Sequence, residues 1–318
     1  MINRIILSKN PLISIITPTL NCGEFLAATM DSICSQKYEY IQSLVIDGGS
    51  EDNTLQIAER YEFTEIIMSE DSSLYEALNE GISRSSGDII CFLNGDDLLA
   101  PGILKCIADN YDYFKTFDML CGHAILFEHD KNTGNRIIDN YSRFSYRTLH
   151  PDTLLYGAPI INAHFFKTDI FRQVGDFNTS YKLAADREFM LRCYMHNMKI
   201  KYLPILAYQY RRHPGSLTLN RKNTNLRAMG LEHMRIANDM RDCEIEELRL
   251  RAPHAWDDAA LTVMTACLRN LQLSDFARFT FRFSTENPLF IPRLPFALAG
   301  KLKRRMQARR KHADSSAL

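Results

Sequence analysis

Gly-Asp-Ile-Ile-Cys-Phe-Leu-Asn-Gly-Asp-Asp, residues 87–97, is the stretch that decides the fold. Its residues 89–93 form an unbroken apolar run between Gly-Asp and Asn-Gly, which predicts a short strand buried on both faces. Two adjacent acids, Asp96 and Asp97, follow at the end of the sheet where ligands of open α/β proteins bind. Because adjacent carboxylates repel each other, this pattern indicates a divalent cation and a phosphate-bearing substrate. An ordinary polar turn is the alternative.

Strands and helices alternate on the N-terminal side of this stretch. The apolar runs predict strands at residues 12–17, 43–46 and 65–68. The helical spacings predict helices between and after them, at residues 25–35, 52–61 and 74–83. Such alternation in units of about 30 residues predicts an α/β fold with a parallel sheet and right-handed crossovers.

The pattern loosens downstream and then changes. Helices are predicted at 101–113, 169–174 and 182–197, and strands at 117–127, 164–168, 199–203 and 207–210, with a hairpin turn at 130–135 and low regularity over 142–163. Beyond residue 220 only helical periods remain, at 226–241, 244–251 and 259–273. We therefore predict an α/β domain over 1–219 and a helical region over 220–318.

The C-terminal tail combines apolar and basic residues. Residues 288–298 are mostly apolar, and residues 301–311 carry seven Lys and Arg side chains. This combination predicts peripheral contact with an anionic membrane surface, with a solvated tail as the alternative.

Composition excludes several classes. The 318 residues carry 38 basic and 38 acidic side chains, so total charge gives no argument for nucleic acid. The eight cysteines form no Cys-x-x-Cys pair, which favours free thiols in a reducing cytosol. The N-terminal apolar segment is too short for a signal peptide, and no apolar window reaches the ~18 residues of a membrane span. We expect a cytoplasmic protein, peripheral on the inner face of the plasma membrane through its tail.

Four segments together resemble a known family. They are Ser-Ile-Ile-Thr-Pro-Thr-Leu-Asn (14–21), Leu-Val-Ile-Asp-Gly-Gly-Ser-Glu-Asp-Asn-Thr (44–54), Leu-Tyr-Glu-Ala-Leu-Asn-Glu-Gly-Ile (74–82) and the 87–97 stretch. Their order and spacing resemble family 2 glycosyltransferases, most closely bacterial enzymes of exopolysaccharide or lipopolysaccharide assembly. The resemblance covers about residues 12–216 and implies a GT-A fold: a Rossmann-like, mostly parallel sheet flanked by helices, followed here by the helical C-terminal region.

The resemblance also implies roles for individual residues. The residues it assigns to nucleotide-sugar binding are Thr17, Pro18, Thr19, Asn21, Asp47, Asp71, Asn79, Asp96 and Arg212. Among these, Thr17–Thr19 would line the base and ribose pocket, and Asp96 would face the ribose. Asp47 would sit near the base or ribose; many relatives have a second acid where this chain has Gly48, and Asp71 is the alternative acid.

The implied cofactor is Mn²⁺ or Mg²⁺. Asp97 would ligate the metal, and Arg211, Arg212 and His213 stand where relatives place diphosphate or metal contacts. Arginine suits phosphate through its paired donors, and a neutral imidazole is a common metal ligand. A solvated basic loop is the alternative for Arg211, Arg212 and His213.

The base of an inverting transfer is predicted at Asp186, which matches the family's acid at a helix start. Glu188 is the competitor; the two positions point to different faces of a helix, so only one can aim at the acceptor. Alternatively, Asp186 pairs with Arg187 or Arg192 and only stabilises the helix. His164 either faces the acceptor or is a structural histidine.

We therefore expect an inverting, metal-dependent transferase that moves a sugar, from a UDP-hexose, to a saccharide or lipid-linked acceptor. One alternative is a sugar nucleotidyltransferase, which would need a glycine-rich, basic phosphate loop after the first strand, where Thr17-Pro18-Thr19 stands instead. The other is a non-catalytic sugar- or lipid-binding protein on the same fold.

Overall fold

The structure is a computed structural model that describes residues 10–69, 73–129, 136–139, 148–157, 160–217 and 225–313. By its internal contacts the chain divides into two compact units, Met1–Leu149 with Pro159–Arg211, and His150–Ala158 with Arg212–Leu318. The division falls at Arg211, upstream of the predicted boundary at 219, and the predicted domain limits stay a prediction.

The first unit is built on one mixed sheet. Its strands are β1 (Ile13–Thr19), β2 (Ile41–Asp47), β3 (Thr64–Met68), β4 (Ile89–Phe92), β5 (Leu98–Leu99), β6 (Met119–His129), β7 (Arg136–Asp139), β8 (His164–Lys167) and β9 (Ile200–Arg211). They lie in the order β3-β2-β1-β4-β8-β6-β9-β5, with β7 paired to β6. Pairing is parallel from β3 to β4, as predicted, and also between β6 and β9, whereas β8 is antiparallel to both neighbours. The α/β class and the helix-flanked sheet are confirmed, but among the described strands only four of the eight pairings are parallel.

Helices connect these strands and form the second unit. They are α1 (Leu26–Cys34), α2 (Thr54–Ala58), α3 (Leu74–Arg84), α4 (Ile103–Asp109), α5 (Pro151–Tyr156), α6 (Asp169–Val174), α7 (Ala185–Met195), α8 (Leu226–Asp239), α9 (Glu246–Arg269), α10 (Leu273–Glu286) and α11 (Phe290–Ala313). Helix α5 and helices α8–α11 belong to the second unit, which confirms a helical C-terminal region.

The core of the first unit lies against β1 and β4. Every residue of these two strands is buried, as the apolar runs predicted. An aromatic cluster then joins β4 to the helices: the ring of Phe177 lies 5.5 Å from that of Phe92 and 4.8 Å from that of Phe189. Because each such pair adds about 0.5–1.5 kcal/mol beyond area burial, the cluster fixes α7 close to β4.

Prolines explain where the predicted boundaries are wrong. Strand β1 continues through Pro18, where a loop was predicted, because the Pro18 carbonyl still accepts the N–H of Gly95 at 3.3 Å. The predicted strands 199–203 and 207–210 are one strand, β9, in which Pro204 is exposed. Likewise, 244–251 and 259–273 largely merge in α9 despite Pro253. There, burial of Ala252 and Trp256 outweighs the proline penalty of about 3 kcal/mol.

Two further segments differ from expectation. The low-regularity region 142–163 contains α5, which begins with Pro151 in its first turn, a position where proline is favourable. The predicted helix 101–113 ends at Asp109 and continues as a 3₁₀ turn over Tyr111–Lys115. The predicted hairpin turn 130–135 lies outside the described residues, but β6 and β7 on either side of it pair antiparallel.

Candidate functional site

The turn after β4 is held from the side by helix α1. The hydroxyl of Thr29 on α1 donates to the carbonyls of Gly95 and Asp97, at 3.0 and 2.8 Å. Within the turn, the N–H of Asp97 donates to the carbonyl of Asn94 at 3.1 Å. These bonds fix the backbone from which both predicted acids project.

Asp97 is the buried acid of the pair. It is 2% exposed, and its carboxylate accepts three hydrogen bonds: from the N–H of Arg211 at 2.7 Å, the hydroxyl of Tyr208 at 2.8 Å and the amide of Asn94 at 3.0 Å. Burial, and then the charge of Asp96, raise the pKa of Asp97 well above its usual range, against the lowering effect of these three donors. The site therefore favours positive charge beside Asp97.

Asp96 is half-buried and so retains contact with solvent. Its backbone carbonyl accepts a hydrogen bond from Nε of Arg211 at 2.8 Å. The Arg211 guanidinium in turn lies over two aromatic rings, 5.0 Å from the centroid of Phe25 and 4.7 Å from that of Phe127. Burial lowers the pKa of Arg211, and the two acids oppose that effect. A cationic side chain is thus held beside the acid pair.

The donor set fits a hard divalent cation. Within the described ranges, no group of three or more His, Cys, Asp and Glu side chains could hold a metal ion unaided. Mg²⁺ and Mn²⁺ in phosphate-transfer sites, however, need only one or two carboxylates, with substrate oxygens and water completing the shell. Asp96 keeps its solvent exposure, and Oδ1 of Asp97 accepts only one hydrogen bond, so each can offer an oxygen.

Two predicted contacts of the diphosphate or metal lie in the second unit. Arg212 and His213 are half-buried there, directly after the last residue of β9. The N–H of His213 donates to the hydroxyl of Ser216 at 3.2 Å, which shapes a turn. Their roles in binding diphosphate and metal stay predictions.

Asp47 organises the loop after β2. Its Oδ1 accepts the N–H groups of Gly49 and Ser50, at 3.0 and 2.7 Å, and its Oδ2 accepts the hydroxyls of Thr19 and Ser50, at 2.7 and 2.6 Å. Gly49 has φ +89°, a conformation that favours glycine. All four acceptor positions of the carboxylate are thus used inside the protein, and its contact with a base or ribose stays a prediction.

The end of β1 lies beside the loop after β2 and the turn after β4. Thr17, Pro18 and Thr19 are buried, and the Thr17 hydroxyl has no hydrogen-bond partner among the residues that the structure describes. Asn21 is exposed; its N–H donates to Ser50 Oγ and its side-chain oxygen accepts the N–H of Glu51, both at 2.8 Å. The structure therefore brings these four predicted residues together with Asp47 and the Asn94–Asp97 turn. Asp71 lies outside the described residues.

Asn79 has a structural partner. Its amide group donates to the carbonyl of Phe177 and accepts the N–H of the same residue, both at 2.9 Å. This pair of bonds ties α3 to the turn that precedes α7. The amide's use here gives Asn79 a positioning role, and its contact with a nucleotide-sugar stays a prediction.

Asp186 and Glu188 have different surroundings at the start of α7. Both oxygens of Glu188 bind Arg192, at 2.8 and 2.9 Å from Nε and Nη2. Arg192 is therefore the partner of Glu188, not of Asp186. Burial raises the pKa of Asp186 to about 6, against the lowering effects of Arg187 and of hydrogen bonds from the Arg187 N–H and the Tyr75 hydroxyl. A pKa of about 6 suits Asp186 to act as a base near neutral pH.

His164 is a core residue. It is fully buried in β8, with Nδ1 2.7 Å from the carbonyl of Ile160 and its ring stacked 5.6 Å from Phe166. These contacts are those of a structural histidine, one of the two roles considered for His164.

A model of glycosyl transferase family 2 matches residues 14–174, half of the chain, including β1, Asp47 and both acids after β4. The chain belongs to this family. Because family membership accompanies the GT-A-type sheet and its ligand edge, the protein is a nucleotide-sugar-dependent glycosyltransferase, as the sequence predicted.

Relatives of this family 2 glycosyltransferase come from several bacteria. A PGL/p-HBAD biosynthesis glycosyltransferase of Mycobacterium bovis is 28% identical over 208 residues, which cover 63% of this chain and 77% of the relative. An uncharacterized glycosyltransferase of Bacillus subtilis, EpsJ, is 24% identical over 221 residues, which cover 65% and 63%.

Solved structures share the fold. S. aureus TarS in complex with UDP-GlcNAc superposes with a TM-score of 0.59 and 20% identity, covering 87% of this chain and 74% of that one. The mannosyltransferase PcManGT from Pyrobaculum calidifontis, in complex with GDP-Man and Mn²⁺, gives a TM-score of 0.54 and 17% identity, covering 92% and 87%. At these identities the likeness shows the fold alone, and that fold is GT-A.

Sequence reasoning missed part of the polar network of this glycosyltransferase. Tyr208 contacts Asp97, and Asn162 lies 3.3 Å from the Tyr208 hydroxyl and accepts the Tyr210 hydroxyl at 2.6 Å. The alternation Tyr208-Gln209-Tyr210 did predict a strand. Nothing in the sequence, however, indicated which strand β9 would lie beside, so the partners of Asp97 could not be read from it.

Gly95→Ala tests how tightly the turn is packed. A Cβ at Gly95 would lie 2.7 Å from Sγ of Cys22 and 3.0 Å from Cγ2 of Thr19. We expect it to lower the free energy of unfolding by about 1–3 kcal/mol, measured by urea denaturation, because overpacking costs that much. Adding Cys22→Ala should restore part of the loss. A variant as stable as the parent, or a double variant with strictly additive losses, would contradict this packing.

Proposed function

We propose that this glycosyltransferase transfers a hexose from a UDP-linked donor, with inversion and with help from Mn²⁺ or Mg²⁺, to a saccharide or lipid-linked acceptor. The setting would be bacterial cell-surface polysaccharide synthesis at the cytoplasmic side of the membrane. The observation that carries the proposal is the acid pair after β4, in which Asp97 is buried with its pKa raised and Asp96 is half-buried. That arrangement gains most from a cation at the ligand edge of the sheet.

The donor side follows from charge. Asp97 would hold the divalent ion together with Asp96, for which the resemblance implied a ribose contact instead. The ion would supply Lewis-acid stabilisation to a diphosphate leaving group when bound. Thr17, Pro18 and Thr19 would border the nucleoside, with Asp47 holding the end of their strand through the Thr19 hydroxyl. Arg211, fixed by Asp96 and two aromatic rings, contributes positive charge near the acids. TarS with UDP and UDP-GlcNAc supports a uridine donor by analogy of fold, and GDP-Man in PcManGT marks the alternative nucleotide.

The acceptor side rests on Asp186. Its carboxylate would take the proton of an acceptor hydroxyl as that oxygen bonds to the anomeric carbon. The bond to the diphosphate breaks on the opposite face, which inverts the configuration. The pKa of about 6 leaves the carboxylate mostly ionised at neutral pH yet basic enough to accept a proton. Glu188, bound at both oxygens by Arg192, would keep the start of α7 in place.

The two alternatives have weaker support. A sugar nucleotidyltransferase would need backbone N–H groups and a basic side chain to hold a triphosphate after β1, where buried Thr17, Pro18 and Thr19 stand. A non-catalytic binding protein would not need an acid with the pKa of Asp186. Release of pyrophosphate from a nucleoside triphosphate and a sugar phosphate would favour the first, and no turnover with any nucleotide-sugar the second.

The donor class is tested by thermal shift. We expect UDP with Mn²⁺ to raise Tm by about 5 °C at saturation, because a ligand that binds only the folded state stabilises it by mass action. UDP without metal, Mn²⁺ alone and uridine with Mn²⁺ are the matched controls and should give little shift. Asp96→Asn should lose the metal-dependent part. Equal shifts with GDP would contradict the uridine assignment, and equal shifts without metal would contradict the metal's role.

A further inference from the structure

Helix α11 in the second unit turns three basic side chains, Arg293, Lys301 and Arg304, toward α9. Nε of Arg293 lies 2.8 Å from Oδ2 of Asp257, and Nη2 donates to Oδ1 at 3.1 Å. The Asp257 side chain is only 1% exposed, so this is a buried ion pair. One face of α11 is therefore anchored by charge rather than by apolar packing alone.

The same inner face continues along the helix. Nζ of Lys301 lies 3.6 Å from Oδ2 of Asp258 and donates to the hydroxyl of Thr262 at 2.6 Å. Arg304 also pairs with Asp258, and its guanidinium lies 4.5 Å from the centroid of the Tyr156 ring. Positions 293, 297, 301 and 304 are spaced by three or four residues, so they share one face. Near the N-terminal end, Phe290 adds apolar contact with Trp256.

The opposite face carries an apolar row. We name the outer row as Ile291, Leu298, Leu302 and Met306, which are 45%, 46%, 59% and 53% exposed. Their spacing of four or seven residues places them on one face. Phe296, 76% exposed, lies to one side of this row.

This polarity is the reverse of that of a helix in a water-exposed bundle, where the apolar face points inward and charges point outward. Single exposed leucines are ordinary, but a continuous apolar row on one helix marks an interaction surface. The inner ion pairs also fix the helix in this orientation, because turning the outer row inward would leave Asp257 and Asp258 without Arg293, Lys301 and Arg304.

We propose that the outer row of α11 lies in the interfacial region of a bilayer that contains anionic lipids, with α11 parallel to the surface. Charge selects this partner. Besides Arg293, Lys301 and Arg304, whose charges are paired with Asp257 and Asp258, residues 287–313 contain five more Lys and Arg and no Asp or Glu. This excess of positive charge attracts a negative headgroup surface and would repel the same segment of a second copy. In the part of the chain described, no helix has the length and apolarity needed to cross a membrane. Contact along the surface fits these observations.

The membrane-facing surface extends the proposed function, because its biological role rests on the proposed lipid-linked acceptor. Lipid binding itself depends only on α11, so the two proposals can fail separately. An enzyme that binds vesicles but transfers no sugar would contradict the proposed function alone. One that transfers sugar to a soluble acceptor but ignores vesicles would contradict this inference alone.

Vesicle co-sedimentation of the full chain tests the surface. The probes are vesicles of phosphatidylcholine alone and of phosphatidylcholine with phosphatidylglycerol, without nucleotide-sugar or acceptor. We expect the wild type to partition onto the anionic vesicles and to be released by high salt. The double variant Leu298→Glu/Leu302→Glu should bind at least about a hundredfold more weakly, because each leucine loses burial worth about a factor of ten or more.

A matched control makes the same charge change elsewhere. Leu250 and Leu268 on α9 are 65% and 47% exposed, and these fractions are similar to those of Leu298 and Leu302. The variant Leu250→Glu/Leu268→Glu should therefore bind like the wild type. Unchanged circular dichroism and Tm would show that both variants fold. The inference is overturned if the outer-row variant binds like the wild type, or if the wild type binds no vesicles. It is also overturned if light scattering shows a wild-type dimer that the outer-row variant dissociates.

Discussion

Asp186→Asn is expected to lower kcat about a thousandfold while the Kd for the donor nucleotide stays within a factor of two, since general bases contribute about 10²–10⁴. Asparagine keeps the size and hydrogen-bonding capacity of the side chain but cannot accept a proton. The start of α7 should remain folded, because its other acid, Glu188, stays bound to Arg192.

Glu188→Gln is the matched control for this variant. It removes the neighbouring charge on the same helix, and we expect it to lower stability while kcat changes little. Turnover should be measured with radiolabelled donor, and donor affinity by calorimetry. Near-normal turnover in Asp186→Asn, or equal losses in both variants, would show that Asp186 is not the base.

The pH profile gives an independent reading of the same residue. The base must be ionised, and burial raises its pKa to about 6, so kcat should fall as the pH drops through about 6 and level off above it. A wild-type profile that is flat from pH 5 to 7 would contradict the assignment, as would a limb that persists unchanged in Asp186→Asn.

Asp97→Ala is expected to abolish transfer with every donor and to lower the free energy of unfolding by about 2–5 kcal/mol. The truncation leaves three buried donors without an acceptor: the Arg211 N–H, the Tyr208 hydroxyl and the Asn94 amide. Each unsatisfied buried group costs about 1–3 kcal/mol, with partial relief by water. The Asp97→Ala substitution also removes one of the two carboxylates proposed to hold the metal.

Urea denaturation and transfer assays with UDP- and GDP-linked sugars measure the two effects. Tyr208→Phe is the control, because it removes one donor to Asp97 but keeps the carboxylate. We expect a loss of about 1 kcal/mol and measurable transfer from that variant. An Asp97→Ala protein that is as stable as the parent would contradict the hydrogen-bond network. One that still transfers sugar would contradict the metal assignment.

Local patterns explain what could be predicted. The strand over residues 89–93 was recognisable because burial on both faces demands a continuous apolar run. The acids after it were recognisable as candidate ligand contacts because ligands of such sheets bind at the carboxyl ends of the strands. The sequence predicted Asp186 rather than Glu188 as the base, but it could not show which of the two acids binds Arg192. In the structure the Arg192 guanidinium reaches Glu188 and three carbonyls of the 174–176 turn.

Long-range pairing explains what could not be predicted. Asn79 belongs to a family motif, but its bonds to the Phe177 backbone join residues 98 positions apart. Asp47 likewise accepts the hydroxyl of Thr19, 28 positions away, a bond that the motif did not indicate. Motif position identified the neighbourhood of each residue, whereas hydrogen-bond partners depend on which strands become neighbours.

The bonds between Asp97 and β9 have a consequence for folding. They join residues 111 and 114 positions apart, so the acid meets its partners only after the chain has been made through Arg211. Closing so long a loop is slow compared with forming local helices. During synthesis on the ribosome, the nascent N-terminal half would therefore carry its acid motif without a finished site, and competence would arrive late, when the last strand inserts.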